Sequence, residues 1–224
     1  MEFRQLTYFL AAAHTQNFRR AAVFLPSLLA SFCRQYPAIH LIVSVAHSDE
    51  VINLVERGEV DLGFIYDPDV RSEVVSMKEL FRQPLHLLTR LDHSLARLEV
   101  GERTLARIVE EPLILFGEGA RLRKVLNRLL LQRGLAVQPV IEIGSLEGLK
   151  ELVKQGCGVT LLPPALLWQT EQSNGLALLP LADVSETFLF ALIHRRIGMI
   201  SPPAYRFIQV TTEMLATVVK RFSL

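Results

Sequence analysis

Cysteine is scarce in this chain. Cys33 and Cys157 are the only two in 224 residues, and neither has a partner at metal-ligand spacing. That excludes a disulfide framework and a thiolate zinc site, and it fits a reducing compartment, the cytoplasm. Both thiols are expected in the core. The six histidines, His14, His40, His47, His86, His93 and His194, stand singly, so no metal site is expected. An excess of one charge is also lacking. The net charge is +1, which leaves no broad basic surface for nucleic acid, and any DNA contact would need a small dedicated module. No apolar run is long enough to span a bilayer, and MEFRQLTYFL, with Glu2 and Arg4, is no secretory signal. Low-complexity stretches and glycine- or serine-rich linkers are absent. No phosphate loop, nucleophile with its base, or spaced carboxylate pair identifies an enzyme, and no cofactor is expected.

What is present is a chain half hydrophobic and 21% charged, enough to bury one or two cores. Phe24, Leu25, Leu28, Leu29, Phe32, Cys33 and Tyr36 recur at helical spacing, with Pro26 in the first turn and Pro37 as a stop. Ile39 to Ala46 reads as a strand apolar on both faces, as in a parallel sheet covered by helices. Ser48 then reads as an N-cap, with Asp49 and Glu50 in the first turn, Val51, Leu54 and Val55 on the buried stripe and Gly58 as the stop. Asp61 to Tyr66 follows as a second strand.

The arrangement returns with strand Val137 to Ile143, Ser145 as N-cap, a helix burying Leu146, Leu149, Leu152 and Val153, and strand Val159 to Leu162. Between the two repeats lie a strand around Pro84 to Thr89, a strand Pro112 to Phe116 and a helix from about Ala120 to Arg133. After them come strand Thr187 to His194 and a final helix opening at Ser201 and Pro202. Arg121, Arg123 and Lys124 read as a solvated basic face. Two strand–helix–strand units predict an α/β fold with open parallel sheets in two lobes, one about 23–83 with 185–224 and the other about 84–184. A chain that crosses twice between lobes predicts a hinge around a ligand cleft.

Ser48 and Ser145 stand at equivalent strand-to-helix steps, the edge where open α/β sheets bind ligands. Two readings stand side by side. Each serine is an N-cap worth about 1 kcal/mol, or a cap that also holds a carboxylate or other anion at the positive end of its helix. Tyr66 and Asp67 end a strand on the same edge and are further candidates.

MEFRQLTYFLAAAHTQNFRRAA resembles the opening of LysR-type transcriptional regulators, with Leu6, Phe9 and Leu10 on a first helix and a second beginning around Asn17. LPSLLASFCRQYPAIHLIV, EVDLGFIY, LDHSLARL, EEPLILF, GSLEGLKELVKQGCGVTLLP and PPAYRFIQVTTEML resemble the effector domain of the same family. The resemblance implies a two-lobed, type 2 periplasmic-binding-protein-like effector domain over 23–224, preceded by a truncated winged helix-turn-helix remnant over 1–22. It implies a small-molecule effector, a carboxylate or other anion, and a homo-oligomer that is not membrane-bound. It places Phe116 and Gly117 in a ligand loop, beside Glu118 and Gly119, and makes Asn17, Phe18, Arg19 and Arg20 what is left of a DNA-binding head. The recognition helix, wing, linker helix and first effector-domain strand are then missing, so direct DNA reading is not expected. An unfilled strand position and lowered stability are expected as well. Two alternatives accompany this reading: an interaction protein forming mixed oligomers with intact relatives, and a stand-alone solute-binding or enzymatic module.

Overall fold

A computed structural model of the chain describes residues 5–10, 24–46, 48–66, 72–164, 175–196 and 200–219. Asn17, Phe18, Arg19, Arg20, His47 and Asp67 lie outside the described residues. The chain divides into two compact units. The first is drawn from Met1–Ala12, Val23–Arg82 and Leu189–Leu224, and the second centres on Gln83–Phe188.

The first unit is a five-stranded sheet between helices. Its strands are β1 (Gln5–Leu10), β2 (His40–Val45), β3 (Leu62–Tyr66), β4 (Val75–Pro84) and β10 (Thr187–Arg195), in the order β2-β1-β3-β10-β4. β1 runs parallel to β2 and to β3, and β10 runs antiparallel to β3. In α1 (Phe24–Gln35) Leu25, Leu28 and Phe32 are buried at i, i+3 and i+7. Phe32 meets Phe207 of α6 (Pro202–Val219) edge-on, with ring centroids 4.9 Å apart, and Phe64 of β3 stacks on Phe190 of β10 at 5.7 Å. The opposite face of the sheet takes α2 (Ser48–Arg57), where Val51 and Val55 pack with Ile65, Ala191 and Ile193. Helical cover on both faces is why all of β3 is buried.

The second unit repeats this plan with shorter strands. β5 (His86–Arg90) lies antiparallel between β8 (Thr160–Leu162) and β9 (Leu176–Pro180). β6 (Ile114–Leu115) pairs in parallel with β7 (Ile141–Glu142), and a parallel bridge from Leu113 to Val159 continues this pair toward β8. α3 (Leu105–Ile108), α4 (Arg121–Gln132) and α5 (Leu146–Lys154) contribute Leu105, Ile108, Leu126, Leu130, Leu149 and Val153 to a single apolar core. Gly158 is required for this packing: a Cβ there would fall within contact of the Pro112 carbonyl oxygen, which accepts from the Val159 amide.

Four expectations change. The amino-terminal segment expected to be helical around Leu6, Phe9 and Leu10 is strand β1, and it fills the position expected to be empty. Its residues suit either period, and two neighbouring strands with open ladders favour the extended form. β2, expected to be covered on both sides, is the edge strand, and Leu41 to Ser44 are only half-buried. The two cysteines are exposed rather than in the core. Cys33 sits one position past the Leu25–Leu28–Phe32 stripe, and Cys157 follows the turn made by Gly156 at φ 79°. Lastly, Arg123 is buried rather than solvated.

Candidate anion-binding helix termini

α2 reaches the sheet closely because Gly63 of β3 has no side chain; a Cβ there would collide with Val51. That approach carries the first residue of the helix inward. Ser48 is 6% exposed, and its Oγ has no hydrogen-bond partner among the described residues. The capping bond expected of Ser48 is therefore not made. A buried hydroxyl without a partner costs about 1–3 kcal/mol, and this one stands at the positive end of a ten-residue helix, unlike the unpartnered atoms of His86, Thr89 and Arg103. Asp49 and Glu50 occupy the first turn with their side chains exposed.

Ser145, at the equivalent step of the second unit, behaves differently. Its Oγ accepts from the Gly148 amide at 3.2 Å and caps α5. Ile143 before it is tied to β6 through a 3.0 Å amide bond to the Leu115 carbonyl. The start of α4 in the same unit has no side-chain cap, because its N-cap is Ala120, and no acidic residue lies in its first turn.

Arg123, one turn into α4, is 4% exposed. Its Nη1 donates to the Phe116 carbonyl at 3.2 Å and to Glu142 Oε1 at 3.1 Å, while Nε donates to Asn127 Oδ1 at 2.8 Å. These bonds fix the end of β6 against β7 and α4. A shallow cleft, too small for an effector, is lined there by Leu115, Phe116, Leu122, Arg123, Leu126, Thr160 and Leu161. Sequence reading missed Arg123, although its place at i, i+3, i+7 with Leu126 and Leu130 was a signal that it lies on the apolar face.

The remaining candidates divide. Phe116 is buried in the apolar core and offers its carbonyl to Arg123. Gly117 is half-buried, has open space where a Cβ would stand, and its carbonyl accepts from the Ala120 amide at 2.9 Å. Tyr66 packs on Phe190 with ring centroids 4.6 Å apart, and burial pushes its phenol well above the ordinary range, so it stays neutral. Ser48 and Tyr66 belong to the first unit, and Phe116, Gly117 and Ser145 to the second. Among the described residues no group of histidines, cysteines and carboxylates could hold a metal ion, and no helix is long and apolar enough to cross a membrane.

Known proteins share this fold. The chain is 26% identical over 196 residues to a probable nitrogen assimilation transcriptional activator of Synechococcus elongatus, covering 86% of this chain and 62% of that protein. It is 27% identical over 194 residues to the HTH-type transcriptional regulator YofA of Bacillus subtilis, covering 87% of this chain and 64% of that protein. It thus spans less than two thirds of the length of these curated relatives. The regulatory domain of CcmR from Synechocystis superposes with a TM-score of 0.79 at 20% identity, covering 94% of this chain and 97% of that one. HinK, a LysR family transcriptional regulator from Pseudomonas aeruginosa, gives 0.77 at 22% identity, covering 95% and 70%. The fold is accordingly that of a LysR effector-binding domain, periplasmic-binding-protein-like. The family model for the LysR substrate binding domain matches residues 19–216, and the chain belongs to that family.

Proposed function

We propose that this chain is the effector-sensing part of a LysR-type transcriptional regulator and that its effector is a small anion, with the α2 terminus at Ser48 as one of its contacts. The observation that carries this reading is the Ser48 hydroxyl, buried and without a partner at a helix N-terminus. Support comes from neighbours of the same fold: structures of BenM with benzoate, QuiR with shikimate and CcmR with 2-PG. Benzoate and shikimate are carboxylates. Tyr66 and Asp67 are further candidates in the first unit, and Gly117 and Ser145 are the candidates of the second unit.

The output is transcriptional, and no catalytic step is part of the proposal. Direct reading of DNA is not assigned to this chain; DNA contact belongs to the longer relatives. Association with other copies is supported by β2, an edge strand whose Leu41 to Ser44 are half-buried and whose outer ladder has no partner among the described residues. The place of action is the cytoplasm.

Calorimetric titration with a panel of small carboxylates, benzoate and shikimate included, tests the reading. The expected result is at least one ligand whose affinity falls about tenfold in Ser48→Ala, the loss of one hydrogen bond to a charged group. A ligand that binds the variant and the parent equally, or a panel in which only neutral analogues bind, overturns it.

A further inference from the structure

The first sheet depends on a strand from outside the matched domain. The family model begins at residue 19, whereas β1 is Gln5–Leu10. β1 pairs with β2 along all six of its residues and with β3 at Tyr8, Phe9 and Leu10, and it is the only strand neighbour of β2 among the described residues. In the second unit the corresponding pair, β6 and β7, lies wholly inside the matched region. Without β1, β2 would have no ladder at all and β3 would expose its inner edge.

We infer that the gap between β2 and β3 is a strand-acceptor slot, occupied by this chain's own Gln5–Leu10, and that seating this segment closes the first sheet. Thr7, Tyr8 and Phe9 are residue types favoured in strands, and the two flanking parallel ladders supply partners for their backbone groups. The same residues read as one side of a helix, with Leu6, Phe9 and Leu10 at helical spacing. One copy of the segment cannot be both. A chain whose strand is seated has therefore given up the helix that its amino terminus resembles, and any longer form that used the segment as a helix would have to fill the slot with another strand.

Hydrogen exchange by mass spectrometry on the whole chain tests this without any variant. The expected result is that amides of residues 5–10 exchange about 100-fold or more slower than an unstructured peptide, matching those of β2. Exchange at free-peptide rates, with β3 still protected, overturns the inference. Tyr8→Pro in the full chain removes a ladder donor where β1 is flanked on both sides. Protection of β2 should then collapse while that of α5 persists; unchanged protection of β2 overturns the inference. A fluorescent peptide spanning residues 4–11 should bind the folded Tyr8→Pro chain and restore protection to β2, but should not bind the parent. Failure to bind the folded variant overturns the acceptor slot. If the variant does not fold, the exchange measurement on the parent chain decides.

Discussion

In the second unit β6, α4 and β7 follow one another in sequence, and each is held by its neighbours in the same stretch of chain. In the first unit the matching positions are taken by β1, α1 and β2, and β1 lies outside the region that carries the family's pattern. The serines differ in step with this. Ser145 is satisfied by the Gly148 amide, and Ser48 is not satisfied at all. One plan thus yields a self-sufficient unit and a unit that relies on an outside strand and keeps an unpaired hydroxyl at its helix end. Unpartnered buried polar atoms occur in both units, at Ser48 in the first and at His86, Thr89 and Arg103 in the second, so it is the dependence of the first sheet on an outside strand that makes the first unit the softer of the two in expectation.

The largest test of that contrast is a cavity in each core. Phe32→Ala should cost about 3–5 kcal/mol and Leu149→Ala about 2–5 kcal/mol, because both side chains are fully buried. Denaturant melts followed by local hydrogen exchange should show each loss confined to the strands of its own unit. Loss spread evenly over both would break the comparison. Gly158→Ala comes next. It forces a Cβ against the Pro112 carbonyl and should weaken the second unit by about 2–4 kcal/mol, read as a lowered melting midpoint with early exchange at Val159.

The serines give a smaller and sharper test. Ser145→Ala should cost about 1 kcal/mol, the ordinary loss of a cap. Ser48→Ala should leave the melting midpoint unchanged or raise it slightly, since it removes a buried hydroxyl that bonds to nothing. Equal destabilisation by both would mean that Ser48 is also a cap, and the distinction between the units would disappear.

The smallest expected effect is one of pH and belongs to the second unit. Burial holds His86 below its ordinary 6.5, Arg103 nearby adds to this, and backbone hydrogen bonds at Pro84 and Leu85 oppose it. The unfolded chain then takes up the proton at higher pH than the folded one. Stability from His86 is full above about 6.5 and is lost as the pH falls through that value, levelling once the folded imidazole is itself protonated. Melting midpoints between pH 7.5 and 5.5 should fall for the parent chain and flatten for His86→Gln; parallel curves would remove His86 as the cause.

The elements legible in the sequence are those whose local signals agree with their tertiary role. Leu25, Leu28 and Phe32 in α1, Val51 and Val55 in α2, and Leu146, Leu149 and Val153 in α5 announce their helices, and Gly58 and Gly134 end theirs at φ 72° and 67°. β4 was not legible: VSMKELFRQP carries lysine, glutamate and arginine because it forms the outer edge of its sheet, and edge strands need no continuous apolar run. β1 was misread because six residues satisfy two periods and only the neighbouring strands decide between them. At the candidate site, the two serines were legible as helix starts. What each hydroxyl does was not, since Ser48 is the first helical residue of α2 whereas Ser145 stands one residue before α5, in the capping position. Arg123 shows the same limit: its charge suggests solvent, and only the carbonyl of Phe116, Glu142 and Asn127 explain its burial.

On the function proposed above, the Ser48 hydroxyl would couple ligand occupancy to the stability of the folded chain. A group that gives this oxygen a partner binds the folded chain and not the unfolded one, so folding and occupancy are linked by mass action and the melting temperature climbs with the logarithm of ligand concentration. Thermal scanning of the parent chain against a metabolite library, repeated with Ser48→Ala, would test the proposed contact: a ligand held by this hydroxyl should raise the melting temperature less in the alanine chain than in the parent.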